Sequence, residues 1–207
     1  MTKKFTQQDA IIEKREVCFQ GFYRMEKLTV RHALFRGGFS NSLSRELFLR
    51  PDAVCVLPYD PAADKVLLIE QFRIGALDKS THPWLMEVVA GLIEEGESVE
   101  NTALREGEEE AHIHFTKLIP ICRYFPSPGG SDEQVYLYLG LFDSRHAQAE
   151  IGGLEQEGED IKIHLMPFAQ ALESVEKDQI NNAAAIMALQ WLALQKLQGK
   201  PLDEVNC

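Results

Sequence analysis

Two apolar runs, at residues 53–57 and 65–72, limit the folds open to this chain more than any other feature. Their valine, isoleucine and leucine side chains favour strands, and the segment between them, Pro58-Tyr-Asp-Pro-Ala-Ala-Asp64, has the composition of a turn. The pattern predicts a β-hairpin. Strands with so few polar positions are typical of a sheet whose two faces are both covered.

The rest of the chain alternates between strand and helix patterns. Residues 11–48 are β-rich, with a Gly37-Gly38 turn, and predict a small N-terminal antiparallel sheet. Further strands are expected at residues 84–90, 118–124, 134–142 and 161–165. A helix is expected at residues 97–111, with one narrow buried stripe formed by Val99, Ala103 and Gly107. Two more are expected at residues 167–177 and after Asn181-Asn182, whose amides can cap the last one. This order predicts an α+β protein built as an α/β/α sandwich with a small N-terminal β lobe.

Composition sets limits on the domains and partners. The 207 residues are 45% hydrophobic, enough for a sizeable core, and we place a domain boundary near Arg50-Pro51, which separates residues 1–50 from residues 51–207. A net charge of -11 argues against nucleic-acid binding. No apolar targeting or membrane segment is evident, so we expect a cytoplasmic protein. The scattered cysteines predict free thiols; they are Cys18, Cys55, Cys122 and Cys207.

The predicted helix at residues 97–111 carries the clearest chemical signal. Residues four apart share a helix face, so Glu106 and Glu110 lie together, with Glu109 beside them. These carboxylates repel one another unless a cation lies between them, and a hard divalent ion such as Mg2+ or Mn2+ prefers oxygen ligands. Arg105 can pair with Glu109 and reach back to Glu97. The alternative is an ordinary solvated acidic helix.

The full segment resembles the Nudix box, the signature of the Nudix hydrolase family. That pattern is Gly, five residues, Glu, seven residues, Arg-Glu, an apolar residue, any residue, Glu-Glu, any residue, Gly and an apolar residue. The matching positions are Gly91, Glu97, Arg105, Glu106, Glu109, Glu110 and Ile113. Gly107 replaces the apolar residue and His112 replaces the closing Gly. Gly107 costs about 1 kcal/mol in a helix interior, and His112 must adopt the left-handed conformation that usually favours Gly.

The resemblance implies a Nudix α/β/α sandwich with a mixed sheet, and a set of metal ligands. By similarity, Mg2+, with Mn2+ as a possible substitute, would be held by Glu106, Glu110, Glu159 and the backbone carbonyl of Ala90. Arg105 and Glu109 would take part in catalysis as neighbours of these ligands. The acidic segment at residues 147–160 reads as a loop, with a flexible Gly152-Gly153 pair, and would supply Glu157 as the catalytic base. A disordered acidic surface loop is the alternative.

The resemblance is nearest to the bacterial subgroup that hydrolyses ADP-ribose. Pro128, fifteen residues after Ile113, is similar to a proline that marks this subgroup. Arg73 is expected to contact phosphate or ribose, and Phe22 to stack on the base, although Phe22 could instead be a core residue. The complete set of expected substrate contacts is Phe22, Tyr23, Arg45, Glu46, Arg50, Arg73, Leu92, Ser127, Pro128, Gly129 and Glu133. In the family the N-terminal lobe reaches across a homodimer, which implies that residues 1–50 serve dimerisation and substrate contact.

The function implied is Mg2+-dependent hydrolysis of ADP-ribose to AMP and ribose 5-phosphate. One alternative is a Nudix hydrolase of another nucleoside diphosphate sugar such as GDP-mannose, because the box specifies diphosphate chemistry and not the attached group. A second is a non-catalytic sensor that binds ADP-ribose, and a third is a structural protein with an acidic helix. No nucleic-acid or membrane partner is expected, only a small nucleoside diphosphate.

Overall fold

A three-stranded antiparallel sheet forms the first compact unit of the chain. The structure is a computed structural model and describes residues 4–199 and 202, so the thiol predicted at Cys207 lies outside the described residues. The strands are β1 (Ala10–Gln20), β2 (Arg24–His32) and β3 (Leu43–Leu49), in that spatial order. Gly37 and Gly38 turn the chain between β2 and β3 with φ of 91° and 73°. The small N-terminal antiparallel sheet is confirmed.

Residues 125–133 belong to the same unit as this sheet. The backbone N–H of Phe48 donates to the carbonyl of Gly130 over 2.7 Å, and the N–H of Arg50 donates to the Asp132 carboxylate over 3.1 Å. These hydrogen bonds hold the turn that contains Pro128 against β3. Two segments that are far apart in sequence therefore form one body.

The second unit contains an eight-stranded mixed sheet. Its strands are β4 (Ala53–Asp60), β5 (Lys65–Phe72), β6 (Trp84–Glu87), β7 (Val89–Leu92), β8 (Lys117–Tyr124), β9 (Val135–Leu141), β10 (Ile151–Gly152) and β11 (Ile161–Pro167). The main path runs β10-β11-β5-β4-β9-β8, and all pairs are antiparallel except β4 with β9. Every residue of β4 is buried, which confirms the buried strand predicted at residues 53–57. The strand also includes residues 58–60, which were expected in the turn, so the turn begins only after Asp60.

The predicted hairpin of β4 and β5 opens soon after its turn. The two strands pair only at Tyr59 with Val66 and Asp60 with Lys65, after which β6 pairs with β5 and β7 pairs with β4. The prediction of one strand at residues 84–90 is therefore wrong, because the chain changes partner at Val88 between β6 and β7. The short strands β6 and β7 supply several residues of the candidate site.

In the part of the second unit that the structure describes, three α-helices accompany the sheet: α1 (Val99–Ala111), α2 (Phe168–Glu176) and α3 (Ala183–Gln198). Ala103 of α1 packs on Val54 and Val56 of β4, whereas Leu189 of α3 belongs to a separate core cluster with Leu57. Neighbouring residues of a strand point to opposite faces, so helices cover both faces and the α/β/α sandwich is confirmed. Within the described residues, no helix is both long and apolar enough to cross a membrane.

The buried face of α1 is wider than the predicted stripe of Val99, Ala103 and Gly107. Val99 is only partly buried, and four further positions are buried: Thr102, Glu106, Glu110 and Ala111. The extra positions place two carboxylates inside the protein. The helix is therefore not simply a solvated acidic surface.

Packing explains why α1 carries Gly107. A Cβ atom at Gly107 would lie 2.6 Å from the ring of Phe115, and one at Gly140 of β9 would lie 2.4 Å from the same ring. The ring therefore occupies space that two glycines leave open. His112 ends α1 in the left-handed conformation, with φ 52° and ψ 39°, and its N–H donates to the last-turn carbonyls. Both departures from the box are accommodated by the structure.

We predict that Gly107→Ala destabilises the protein although alanine is the better helix former. Overpacking against Phe115 should cost roughly 1–3 kcal/mol, more than the gain of about 1 kcal/mol in helix propensity. Urea denaturation measures the difference. The double variant Gly107→Ala/Phe115→Leu should recover part of the loss, and a single variant more stable than the parent would contradict this account.

Candidate active site

Arg105 organises the carboxylates around the middle of α1. Its guanidinium donates to Glu97 over 3.2 Å, to Glu106 over 2.7 Å and to Glu109 over 2.9 Å. It also reaches the carbonyl of Leu92 over 3.4 Å. The hydrogen bond to Glu97 is the main cause of a raised Arg105 pKa, and it lowers the pKa of Glu97. The predicted pairing of Arg105 with Glu97 and Glu109 is confirmed.

Glu106 lies directly against the backbone of β7. A Cβ atom at Gly91 would lie 1.7 Å from Glu106 Oε1, so no other residue type leaves room for this carboxylate. This contact gives a physical reason for the first glycine of the box. The carboxylate position is thus set by the helix on one side and by the absent side chain of Gly91 on the other.

Glu110 is the most deeply buried acid of the helix, with 2% of its surface exposed. The backbone N–H of Ala90 donates to its Oε2 over 2.8 Å, and Gln71 Nε2 lies 3.5 Å from its Oε1. Burial raises the pKa of Glu106 to about 7 and that of Glu110 to about 8. Charge repulsion acts in the same direction: Glu109 and Glu159 raise the pKa of Glu106, and Glu106 and Glu159 raise the pKa of Glu110.

These three acids fit the requirements of a hard divalent cation. All offer oxygen ligands, and the raised pKa values of Glu106 and Glu110 show that the site disfavours uncompensated negative charge. Among the described residues, no set of three acidic, histidine or cysteine side chains is already gathered as metal ligands. One oxygen of each acid is instead held by a protein donor: Arg105, the Ala90 N–H and the Leu154 N–H.

The acidic loop is attached to the C-terminal end of α1. The N–H of Gly153 donates to the carbonyl of Glu109 over 2.9 Å, and a Cβ atom at Gly152 would lie 2.0 Å from the carbonyl oxygen of Glu110. Close packing requires glycine at both positions of the Gly152-Gly153 pair, and the flexibility expected of this pair stays a prediction. The loop was predicted to lack regular structure, but it contains β10 and a 3-10 turn at Glu155–Glu157.

The two acids expected from this loop differ in their surroundings. Glu159 is partly buried, accepts a hydrogen bond from the Leu154 N–H over 3.0 Å and lies within electrostatic reach of Glu106 and Glu110. Glu157 is exposed at the end of the 3-10 turn, next to Gly158 in the left-handed conformation. Of the two loop acids, therefore, only Glu159 lies close enough to act electrostatically on the carboxylates of α1.

Arg73 belongs to a polar cluster around the buried carboxylate of Glu87, and the sequence analysis does not predict this cluster. Its guanidinium contacts Glu87, which is 5% exposed and also accepts hydrogen bonds from Gln71 and Asn182. Gln71 lies on β5 and Glu87 lies on the neighbouring strand β6. An alternating pattern of polar and apolar residues predicts only which residues of one strand share a face. The pairing of β5 with β6, which brings them together, could not be seen in the sequence.

Leu92 lies in β7 of the second unit, and the other expected substrate residues lie in the first unit. Arg50 contacts Glu133 over 3.1 Å and lies 5.2 Å from the Tyr23 ring centroid. Phe22 packs edge-on against Tyr23 with 85% of its surface exposed, which excludes a core role. Arg45 and Glu46 are exposed and consecutive in β3, so their side chains leave opposite faces. Three further residues lie in the turn that pairs with β3: Ser127, Pro128 and Gly129.

Comparison with known proteins supplies the family to which this fold and its buried carboxylate face belong. The NUDIX domain matches residues 49–192. A curated relative from Escherichia coli strain K12, named ADP-ribose pyrophosphatase, is 45% identical over 190 residues, covering 92% of this chain and 90% of the relative. The chain therefore belongs to the Nudix family and is a Nudix hydrolase.

Two further comparisons show the breadth of the family. A GDP-mannose pyrophosphatase from Cronobacter sakazakii is 32% identical over 152 residues, covering 73% of this chain and 78% of the relative. A solved structure described as an ADP compounds hydrolase superposes with a TM-score of 0.69 at 21% identity, covering 96% of this chain and all of the other. The structural match confirms the fold.

The raised pKa values of Glu106 and Glu110 predict a pH-dependent stability of the metal-free protein. Both acids bind protons more tightly in the folded state than at their unfolded value of 4.5, so stability should fall between about pH 5 and pH 8. Thermal unfolding in chelator measures this slope. Glu110→Gln should flatten it, whereas an unchanged slope would contradict the assignment.

We further predict that Gly91→Ala weakens metal binding with little effect on the fold. The added Cβ must displace the Glu106 carboxylate. Calorimetric titration with Mn2+ should show at least a tenfold loss of affinity, in line with displacement of a metal-orienting group. Gly75→Ala is the matched control, because no atom lies within 4 Å of its added Cβ. Equal affinities in the two variants would refute the role of Gly91.

Proposed function

We propose that this Nudix hydrolase cleaves the diphosphate of ADP-ribose with Mg2+ and releases AMP and ribose 5-phosphate. The observation that carries the proposal is the buried pair Glu106 and Glu110, whose charges need a cation between them. The substrate is supported by the 45% identity to the Escherichia coli protein named ADP-ribose pyrophosphatase, against 32% for the relative named for GDP-mannose.

Glu106, Glu110, Glu159 and the carbonyl of Ala90 are the proposed ligands of Mg2+. Bound there, the metal would neutralise the diphosphate and make an attacking water more acidic. Arg105 holds one oxygen of Glu106 and thereby orients its carboxylate. The Ala90 N–H donates to one oxygen of Glu110 and orients that carboxylate. This hydrogen bond also aligns the backbone of β7 with the face of α1.

Glu157 is the proposed general base, and Arg105 and Glu109 are proposed to orient the metal-binding acids of α1. Its exposed carboxylate lies on a loop that is attached to α1 at Gly153, and the hydrogen bond from the Leu154 N–H to Glu159 closes that loop on itself. A carboxylate in this position can accept a proton from water and return it to solvent. Proton transfer of this kind contributes about 10²- to 10⁴-fold to a rate, so most of the acceleration would come from charge neutralisation.

The substrate contacts are proposed for both units. Arg73 and the backbone at Leu92 in the second unit would bind the phosphates and ribose. In the first unit, Phe22 offers an exposed aromatic face for the base. The remaining proposed contacts of that unit are Tyr23, Arg45, Glu46, Arg50, Ser127, Pro128, Gly129 and Glu133.

A homodimer with shared active sites is the proposed assembly, with residues 1–50 serving dimerisation and residues 51–207 carrying catalysis. Support comes from β1, whose eleven residues are all exposed although they include apolar side chains. The exposed apolar residues of β1 are Ile11, Ile12, Val17 and Phe19. The small-molecule substrate requires no membrane or nucleic acid, and we place the enzyme in the cytoplasm.

We predict that Glu106→Gln abolishes turnover of ADP-ribose while the protein remains folded. The amide removes the negative charge that a divalent metal requires, so kcat should fall by about 10³-fold or more. Release of AMP, measured by chromatography with Mg2+ present, checks this. Glu108→Gln is the matched control, because Glu108 is an exposed acid of the same helix. Turnover of Glu106→Gln within a few-fold of the control would contradict the assignment of Glu106 as a metal ligand.

The same assay separates the alternatives. Faster release from GDP-mannose than from ADP-ribose would replace the proposed substrate but keep the chemistry. Binding of ADP-ribose without product release would indicate a sensor.

A further inference from the structure

Glu87 is a buried carboxylate that is not one of the proposed metal ligands. It ends β6 and is 5% exposed. Arg73 approaches one of its oxygens, Oε2, with Nε at 2.9 Å and Nη2 at 2.8 Å. Asn182 Nδ2 donates to the other oxygen, Oε1, over 2.9 Å. Both oxygens are therefore occupied by protein donors, as a buried charge requires.

The strand register explains why Arg73 and Glu87 meet. Glu87 lies opposite Ile69 in the antiparallel pair of β5 and β6. Positions 69, 71 and 73 follow the two-residue period of a strand, which directs them to the same side as Glu87. The N–H of Arg73 is held by the carbonyl of Pro83 over 2.8 Å. The backbone of Arg73 is thus fixed, and its side chain is oriented by Glu87.

Asn182 performs two tasks with one side chain. Its Oδ1 accepts hydrogen bonds from the N–H groups of Ala184 and Ala185 and so caps α3. Its Nδ2 points the other way, to Glu87. Aspartate or serine at this position could cap the helix equally well, but neither offers the amide donor. The capping role alone does not explain why the residue is asparagine.

The same cluster reaches the carboxylate face of α1 through Gln71. Its Nε2 lies 3.4 Å from Glu87 Oε2 and 3.5 Å from Glu110 Oε1. An amide nitrogen carries two hydrogens, so it can serve both buried acids at once. These two contacts of Gln71 are long. The shorter hydrogen bonds of the cluster join Glu87 to Asn182 and to Arg73.

We propose that Asn182 and Glu87 are positioning residues that hold the Arg73 guanidinium in the orientation with which it binds the diphosphate sugar. The inference rests on the proposed function, which makes Arg73 a substrate contact. It assigns a substrate-binding task to the N-terminal cap of α3. A merely structural Asn182 would affect folding stability and leave substrate affinity unchanged.

Asn182→Asp separates the two tasks, because aspartate keeps the capping oxygen and replaces the amide donor with a second carboxylate beside Glu87. We expect KM for ADP-ribose to rise about tenfold, the effect of losing one charge-assisted hydrogen bond, with kcat within twofold. Asn181→Asp is the matched control, since it adds the same charge at the exposed neighbouring position. Asn182→Ser, with Asn181→Ser beside it, repeats the test without the added charge, should the aspartate variant fold poorly.

Two readouts do not depend on turnover. The Arg73 Nε–H signal in a proton–nitrogen NMR spectrum, assigned by its absence in Arg73→Lys, should move in both Asn182 variants and stay in both Asn181 controls. Mn2+ affinity, measured by calorimetry without substrate, should be unchanged, because the acids of α1 keep their own donors.

An unchanged KM, an unmoved Arg73 signal, or equal effects in the Asn181 controls would overturn the proposal. A loss of kcat together with thermal stability would assign Asn182 a structural role and overturn it as well. If the wild-type protein releases no product from any nucleoside diphosphate sugar, the proposed function fails. The Arg73 signal then decides on its own whether Asn182 positions that side chain.

Discussion

The burial of two like charges on one face of α1 is the constraint on which the candidate site depends. Glu106 and Glu110 are 9% and 2% exposed, and burial together with repulsion from neighbouring acids raises the pKa of both. Buried carboxylates remain ionised only when donors or cations compensate them. The surrounding residues provide part of that compensation through Arg105 and the N–H of Ala90. A divalent cation is the natural source of the remainder.

Close approaches to glycine residues help to bring the elements of the site together. Gly91 lets β7 approach Glu106, and Gly152 lets the acidic loop approach the carbonyl of Glu110. At each point a methyl group would overlap an oxygen atom. Together with the hydrogen bond from Gly153 to Glu109, these contacts connect the helix, the short strand and the loop into one arrangement. The loop that carries Glu157 is consequently attached at its base.

Local geometry could be predicted from the sequence, and long-range pairing could not. The shared face of Glu106 and Glu110 and the pairing of Arg105 with Glu109 follow from helical spacing, and both are present. The partner of Asn182, in contrast, is Glu87, 95 residues away. Nothing in a local pattern reports which strand pairs with β5, so Glu87 was missed.

The same limit explains how the glycines were interpreted. Gly107 looked like a cost to the helix, because its reason lies in the ring of Phe115 and in Gly140 on another strand. The Gly152-Gly153 pair looked flexible because glycine-rich acidic segments usually are. Composition indicates only which conformations a segment can adopt on its own. In the folded protein, the close packing of α1 against β10 explains why glycine is needed in the acidic loop.

The most direct test of the central claim is phosphorus NMR of ADP-ribose incubated with the metal-free protein, before and after addition of Mg2+. The buried carboxylate face predicts that both diphosphate signals persist until Mg2+ is added and are then replaced by two phosphomonoester signals of equal intensity. Cleavage in the presence of chelator, or persistent diphosphate signals after Mg2+ is added, would contradict it.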